Sequence, residues 1–159
     1  MDDVRLRAPA HLVSRKARAY WTVRALLGWL IVVVVVVAIT SGTPVSPALG
    51  AATVALALAH LVVMPLWRYR VHRWEITDTA VYTQSGWFTQ ERRIAPIARV
   101  QTVDTQRGPI EQLFGLANVT ITTASAKGPI KIHALDQDVA DRTAVWLTER
   151  AQLAGGDGT

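Results

Sequence analysis

Hydrophobic residues form two long runs near the start of the chain, separated by a short polar turn. Residues 25–67 contain no Lys, Arg, Asp or Glu, and the turn at residues 40–47 carries a glycine and two prolines. A helix rises about 1.5 Å per residue, so roughly 20 apolar residues cross a hydrocarbon core about 30 Å thick. Residues 21–39 and 48–67 supply 19 and 20 residues. The pattern therefore predicts a transmembrane helical hairpin.

A signal peptide is the alternative interpretation of the first run, because basic residues precede it. Its six consecutive valines, residues 32–37, also suit a buried strand. However, the run is longer than the roughly 4 to 8 residues of such a strand. It is also long for a signal sequence, and a second apolar run follows at once. Two membrane-spanning helices explain both observations.

Basic and aromatic residues lie on the outer flanks of the two runs, whereas the turn between them is uncharged. The positive-inside rule therefore predicts a multi-pass protein with both termini in the cytoplasm. Topology alone explains the basic residues, although each also adds about 1 kcal/mol of attraction to an anionic leaflet. The indoles are expected in the inner headgroup layer. The candidate membrane-surface residues are Arg15, Lys16, Arg18, Trp21, Arg24, Trp67, Arg68, Arg70 and Arg73.

The 92 residues that follow the second run are enough for one small domain. The net charge of the whole chain is +5, but residues 68–159 hold eleven basic and ten acidic side chains. This part is nearly neutral, so nucleic acid is not indicated as a partner. The chain has no cysteine, which excludes disulfides, thiol nucleophiles and cysteine-based metal sites.

Alternation of apolar and polar residues, interrupted by turn residues, predicts antiparallel strands after the hairpin. A single helical turn at residues 110–114 is expected to end at Gly115. The last two strands are the best defined, because valine or isoleucine alternates strictly with polar residues in both. The predicted strands are residues 70–77, 80–84, 87–94, 99–106, 118–123 and 130–133.

A helical period begins after Leu135 and predicts an amphipathic C-terminal helix, with Asp136 or Asp138 as its cap. Trp146 is expected to cover the open end of a bent sheet. The apolar side consists of Val139, Ala140, Thr143, Trp146 and Leu147. About seven antiparallel strands capped by one helix describe a pleckstrin-homology-like (PH-like) β-barrel.

The predicted organisation is that of an α+β membrane protein. A basic cytoplasmic segment at residues 1–20 precedes the hairpin at residues 21–67, and the PH-like domain follows at residues 68–153. The glycine-rich residues 154–159 are predicted to be a disordered tail.

Three segments of the predicted domain carry a resemblance to a known family. Residues 94–103 contain an arginine-bearing strand, residues 106–116 end in Phe-Gly-Leu, and residues 119–124 are rich in threonine. Together with the hairpin, these segments resemble the bacterial PH-domain membrane proteins of the YdbS type over about residues 15–152. The resemblance implies a cytoplasmic PH-like domain on a bacterial membrane and, often, a partner protein with further PH-like domains. It implies no defined reaction.

The motif supplies a second set of candidate residues. Phe114 and Leu116 are expected to pack the short helix against the sheet, with Gly115 providing a positive φ angle. For the polar members we expect hydrogen bonds that hold loops or the short helix, with a ligand contact as the alternative. The candidate interaction residues are Arg99, Gln101, Asp104, Gln106, Phe114, Gly115 and Leu116.

The distribution of basic residues does not indicate a phosphoinositide site. The predicted loop between the first two strands, residues 77–79, has no basic side chain. Arg70 and Arg73 are close enough to the second span to attract anionic lipid. Arg92 and Arg93 offer the same attraction, but they also suit a solvated strand face.

Catalytic and metal-binding patterns are not indicated by the spacing of the histidines or by any glycine-rich nucleotide loop. We therefore expect no enzymatic activity, no metal and no cofactor. His60 lies inside the second span, where an ionisable side chain is a functional candidate by default. A hydrogen bond across the hairpin explains it, and proton transport is the alternative.

Two functions fit the sequence. The first is a membrane-anchored interaction module whose partner is another membrane protein, such as a second PH-domain protein, or a second copy of the chain in a homo-oligomer. The second is a component of a transport, export or envelope-defence system against membrane-active compounds. Conduction requires polar residues facing the inside of a bundle, and the hairpin offers few besides His60 and Thr53.

Overall fold

Two long helices pack side by side at the start of the fold. The computed structural model describes residues 8–44, 46–87, 89–125 and 127–156. Helix α1 is Ala17–Thr40 and helix α2 is Ser46–Val71, and both are long and apolar enough to cross a membrane. Each is longer than its predicted span at the end nearest the sheets, where α1 begins four residues earlier and α2 ends four residues later.

Seven strands in the described part of the chain form two antiparallel sheets. The first sheet has the order β1 (His11–Leu12), β2 (Arg73–Ile76), β3 (Ala80–Ser85) and β4 (Glu91–Pro96). The second has the order β5 (Val100–Gln106), β6 (Leu116–Thr123) and β7 (Ile130–Asp136). A 3₁₀ turn, Ile97–Arg99, connects the sheets, and two further helices are α3 (Pro109–Leu113) and α4 (Gln137–Gly156).

The helical hairpin is inserted between the first two strands of the first sheet. Strand β1 precedes the hairpin and β2 follows it, yet the two pair through His11 with Trp74 and Leu12 with Arg73. Immediately after β1, the Ser14 amide donates to the Ala134 carbonyl of β7 at 3.0 Å. The predicted segment at residues 1–20 is therefore not separate from the rest of the fold: residues 11–12 pair with the first sheet, and residues 17–20 belong to α1.

Insertion of the hairpin also changes which connection is the first one between strands. Residues 13–72 join β1 to β2, whereas residues 77–79 join β2 to β3. Residues 77–79, which the sequence predicts to be the first connection between strands, are therefore the second one. Within this loop, Asp78 pairs with Arg150 at 3.1 Å.

Several predicted boundaries are wrong. Residues 70 and 71 are helical, because α2 continues until the His72 amide donates to the Arg68 carbonyl at 2.9 Å. The strand predicted at residues 87–94 begins and ends later in the structure, at Glu91–Pro96. Residues 154–156 belong to α4, and residues 157–159 of the predicted tail lie outside the described residues.

The hydrophobic core of the domain lies between the sheets and α4. Its central residues include Val81, Val119, Ile121 and Ile132, which are nearly inaccessible to solvent. Helix α4 buries Ala140 and Leu147 against them, and Trp146 packs on the same cluster. The amphipathic C-terminal helix and its apolar side are thus confirmed.

Candidate functional site

A second hydrophobic cluster joins α1 to the sheets, and we call it the junction core. It contains Val13, Ala17, Tyr20, Trp21, Leu116 and Ala134, with Phe114 packed against it. Trp21 is only 2% exposed, so its predicted position in the headgroup layer is wrong. Because α1 begins at Ala17 rather than at residue 21, Trp21 faces protein on the second turn of the helix. Of the motif residues, Phe114 and Leu116 belong to this core, and Gly115 has the expected positive φ of 63°.

A chain of hydrogen bonds accompanies the junction core. The Tyr20 hydroxyl on α1 donates to Oε1 of Glu111 on α3 at 2.8 Å. Asn118 on β6 donates its Nδ2 to the same oxygen at 3.2 Å, and its Oδ1 accepts from the Ala134 amide at 2.9 Å. Ala134 has a positive φ of 56°, a conformation that costs energy for a residue with a Cβ. The chain links α1, α3, β6 and β7.

Glu111 is held in its charged form by these contacts. Burial alone would raise its pKa, but hydrogen bonds from Tyr20, Asn118 and the backbone outweigh burial and lower the pKa. A charged acceptor makes stronger hydrogen bonds than a neutral one. The helical hairpin and the domain are therefore joined by both apolar packing and a charge-assisted network.

A cleft opens between α2 and the sheets, and we call it the juxtamembrane cleft. Its volume is about 430 Å³. Residues from α2, from the β3–β4 connection and from β7 line it, among them His60, Met64, Arg68, His72, Trp87 and His133. It is the place where the helical hairpin, the first sheet and the second sheet meet around polar side chains.

Arg68 is held in a fixed position at this cleft. Its guanidinium carbon lies 4.6 Å from the centre of the Trp21 ring, a cation–π arrangement. Its Nε donates to Nε2 of His72 at 3.4 Å, while Nδ1 of His72 donates to the Arg68 carbonyl at 2.9 Å. Both ring nitrogens of His72 are thus engaged with the same arginine.

Two of the histidines that line the cleft, His72 and His133, are neutral at neutral pH. Burial and then the positive charge of Arg68 lower the pKa of His72 from 6.5 to about 4. Burial also lowers the pKa of His133, and the charges of Arg68, Lys131 and Arg24 lower it further, against an opposing effect of Glu111. The surroundings of His133 are therefore dominated by positive charge.

Trp87 connects the domain to the helical hairpin deeper along α2. Nε1 of Trp29 on α1 donates to Nδ1 of His60 at 3.0 Å, which confirms the expected hydrogen bond across the hairpin. The ring centre of Trp87 lies 5.6 Å from that of His60. Nε1 of Trp67 donates to the Trp87 carbonyl at 3.0 Å. The β3–β4 connection thus contacts α2 at two levels.

Other predicted membrane-surface residues are engaged within the protein. Lys16 pairs with Asp136 at 2.9 Å, and the guanidinium of Arg18 lies 4.9 Å from the centre of the Tyr69 ring. Arg24 donates to the Tyr20 hydroxyl at 3.3 Å. Of the remaining members, Arg15, Trp67 and Arg70 are exposed, and Arg73 is half-buried with its Nε donating to the Arg70 carbonyl at 3.4 Å.

Arg93 does not lie on a solvated strand face, so that interpretation is wrong for this residue. Its guanidinium donates to the carbonyl oxygens of Lys127, Gly128 and Pro129 at 2.8, 2.8 and 2.6 Å. The side chain connects β4 to the β6–β7 hairpin of the other sheet.

The polar motif residues are brought together on one exposed strand. Arg99 ends the 3₁₀ turn, and Gln101, Asp104 and Gln106 lie on β5, one of the two outer strands of the second sheet. All four are exposed. Asp104 accepts a hydrogen bond from the Thr102 hydroxyl at 3.4 Å. Within the described ranges, the other three side chains do not form the loop-holding hydrogen bonds that we expected.

Comparison with known proteins agrees with this arrangement. The model of the bacterial PH domain matches residues 22–151, a range that includes most of α1, all of α2 and strands β2 to β7. The chain belongs to the bacterial PH domain family. It is also similar to the UPF0699 transmembrane protein YdbS of Bacillus subtilis (strain 168), with 34% identity over 113 residues, which are 71% of this chain and 70% of that protein. No solved structure matches the chain.

Membership of this family and the two apolar helices establish a membrane protein with a PH-like α+β fold. Among the residues that the structure describes, no group of three His, Asp or Glu side chains lies close enough to hold a metal ion. Two surfaces of this bacterial PH-domain protein are candidates for binding: the exposed β5 edge, which carries the polar motif residues, and the juxtamembrane cleft.

Proposed function

We propose that this membrane protein is a non-enzymatic interaction module that binds another membrane protein, or a second copy of itself, at the cytoplasmic face of the bacterial membrane. The observation that carries the proposal is the exposed outer edge of β5. Among the described strands, β5 pairs with β6 alone, and five of its seven residues are exposed.

An outer strand offers unpaired backbone donors and acceptors to another chain. Addition of a partner strand satisfies those groups, and side chains along the edge then determine which partner is accepted. The exposed side chains of Gln101, Asp104 and Gln106 supply such groups. Leu113, at the end of α3 shortly after β5, adds an apolar side chain that is 84% exposed.

Attachment to the helical hairpin favours this role. The junction core and the Tyr20–Glu111 hydrogen bond hold α1 against α3 and β6. The β5 edge consequently has a limited range of orientations relative to the membrane. Restricting orientation before binding lowers the entropic cost of association, so a partner in the same membrane is favoured over a soluble one.

Photo-cross-linking in native membranes tests the β5 edge. A photoreactive amino acid at Gln101 or Gln106 is expected to capture one defined membrane protein or a second copy of the chain. The matched control is Glu149, which is exposed on α4. Because a strand-addition partner lies within van der Waals distance of the edge, the β5 positions should give at least about five times the yield of the control.

The outcome of the same experiment can contradict the proposal. Equal yields at Gln101, Gln106 and Glu149 would show collisional capture rather than a binding edge. Uncross-linked monomer at every position, with the protein at its native level, would overturn the proposal as well.

The orientation that we propose has both helices crossing the membrane and both termini in the cytoplasm. The absence of cysteine from the chain allows a single thiol to be placed anywhere. Cysteine at Thr43, between the helices, is expected to react with a membrane-impermeant maleimide added to intact cells. Cysteine at Gln152, on α4, should react only after lysis. Labelling of Gln152→Cys in intact cells would show that the C-terminal helix lies outside the cell, opposite to the proposed orientation.

The transport or defence role remains a prediction that no observation favours over the interaction module. Polar groups of the helical hairpin are used internally: His60 accepts from Trp29, and the Thr53 hydroxyl donates to the Leu49 carbonyl at 2.8 Å. A path for a solute would have to be supplied by other membrane spans.

A further inference from the structure

The juxtamembrane cleft changes from apolar to polar along the direction of α2. Met64 and the Trp87 ring supply apolar surface at one end, next to the His60 ring, which accepts from Trp29. Arg68, His72 and His133 line the other end. His60 and Arg68 are eight residues apart, which corresponds to about 12 Å along a helix axis. Under the orientation proposed above, the apolar end points into the bilayer and the polar end toward the cytoplasm. This is the polarity of a phospholipid in the inner leaflet.

The polar end of the cleft contains a pre-positioned guanidinium. Trp21 covers one face of Arg68, and His72 engages its Nε. In the described part of the chain, no carboxylate lies within salt-bridge distance of Arg68 and no protein acceptor engages its two terminal nitrogens. Two parallel N–H donors on a fixed guanidinium match the oxygens of a phosphate.

Electrostatics at the same end favour an anion. Arg68, Lys131 and Arg24 all act on His133 as positive charges. The opposing acid, Glu111, brings one negative charge against these three positive ones. An added negative charge would thus meet an excess of positive charge in a partly buried site, where charge interactions are stronger than in water.

We propose that the juxtamembrane cleft binds one anionic phospholipid of the inner leaflet, with its phosphate on the terminal nitrogens of Arg68. The acyl chains leave past Met64 and Trp87, and His133 offers a neutral ring as a further hydrogen-bonding group. The proposal uses the membrane orientation given above and is independent of the partner at the β5 edge.

Native mass spectrometry of the full chain in mild detergent tests this site. The protein is incubated with phosphatidylglycerol or with phosphatidylcholine, and retained lipid is counted per chain. We expect one retained phosphatidylglycerol and little phosphatidylcholine. Arg68→Gln should weaken retention about tenfold, since a charged hydrogen bond of roughly 1.5 kcal/mol is lost. The matched control Arg70→Gln removes the same charge from an exposed position two residues further along the chain.

A second variant keeps Arg68 and blocks the cleft. Ser85→Phe places a ring among the lining residues and should abolish lipid retention while far-ultraviolet circular dichroism remains unchanged. Excess inorganic phosphate should not displace the lipid, because the acyl chains contribute to binding.

Four outcomes would overturn the lipid site: equal loss with Arg68→Gln and Arg70→Gln, undiminished retention in Ser85→Phe, equal retention of the two lipids, or displacement by inorganic phosphate. The cysteine labelling at residues 43 and 152 separately reports a failure of the proposed orientation. The cross-linking at β5 separately reports a failure of the proposed partner interaction.

Discussion

Replacing Trp21 with alanine is expected to destabilise the domain by about 3 to 5 kcal/mol, the usual cost of truncating a fully buried indole. Trp21 is 2% exposed in the junction core, and its ring also contacts Arg68 and His72. Thermal unfolding of the full chain in detergent, followed by circular dichroism in the β-sheet region, should show a decrease in Tm of more than about 10 °C.

The same substitution at Trp67 is the matched control. Trp67 is 46% exposed and donates one hydrogen bond to the Trp87 carbonyl. Its loss should cost about 1 kcal/mol, the usual net value of one hydrogen bond. Comparable decreases in Tm for the two variants would mean that the junction core does not stabilise the domain.

The sequence predicted those helices and strands whose hydrophobic pattern repeats over many consecutive residues. An uncharged stretch of 43 residues leaves few alternatives to a helical hairpin. Strict alternation in residues 118–123 and 130–133 predicted the antiparallel pair β6–β7. The apolar side of α4 was predicted from its period, because Ala140 and Leu147 can be buried together only on one side of a helix.

Strand β1 could not be predicted in the same way. His11–Leu12 is two residues long, which is too short to show alternation. Its partner β2 lies beyond the whole hairpin, so the pairing depends on a contact between residues about 60 positions apart. Only the fact that α1 and α2 return the chain to the same end makes this pairing possible.

The boundary residues of the helices were ambiguous for a different reason. An indole or an arginine at the end of an apolar run can face the headgroups or can pack on a neighbouring domain. Trp21 and Arg68 adopt the second arrangement, whereas Trp67 and Arg70 remain exposed. Sequence spacing does not reveal which side of the helix meets the sheets. The sequence therefore could not predict that His72, Trp87 and His133 line one cleft.

The match of the family model over residues 22–151 includes the helical pair together with the strands that follow it. A helical pair attached by one flexible linker would be independent of the domain that follows it. Here the chain enters the hairpin from β1 and leaves it into β2, so two connections and the junction core hold the same pair of helices. The helical hairpin is consequently fixed to the domain at both of its ends.

The second large effect that we expect is a loss of stability in mild acid. The pKa of His72 is lowered to about 4 in the folded protein, compared with 6.5 when unfolded. Between these values the unfolded state binds more protons, so stability rises with pH in this window. The contribution of neutral His72 is complete above pH 6.5 and is lost as pH falls toward 4. At pH 5 the loss should be about 2 kcal/mol.

Protonation of His72 would also remove the lone pair that accepts from Arg68 Nε and place a second cation beside that arginine. The groups that face His72 are Arg68 on α2, Trp21 on α1 and His133 on β7. Burial lowers the pKa of His133 as well, so its contribution has the same sign.

Urea unfolding of the full chain at pH 7 and pH 5 measures the effect. His72→Gln should be less stable than the parent at pH 7, because its contact with Arg68 is altered, and should lose less stability on going to pH 5. The matched control His11→Gln removes an exposed imidazole of β1 and should retain the full pH dependence. If His72→Gln kept the same difference between the two pH values as the parent, the buried imidazole would not be the group that titrates. Neutral His72 is the form whose Nε2 can accept the hydrogen bond from Arg68 Nε.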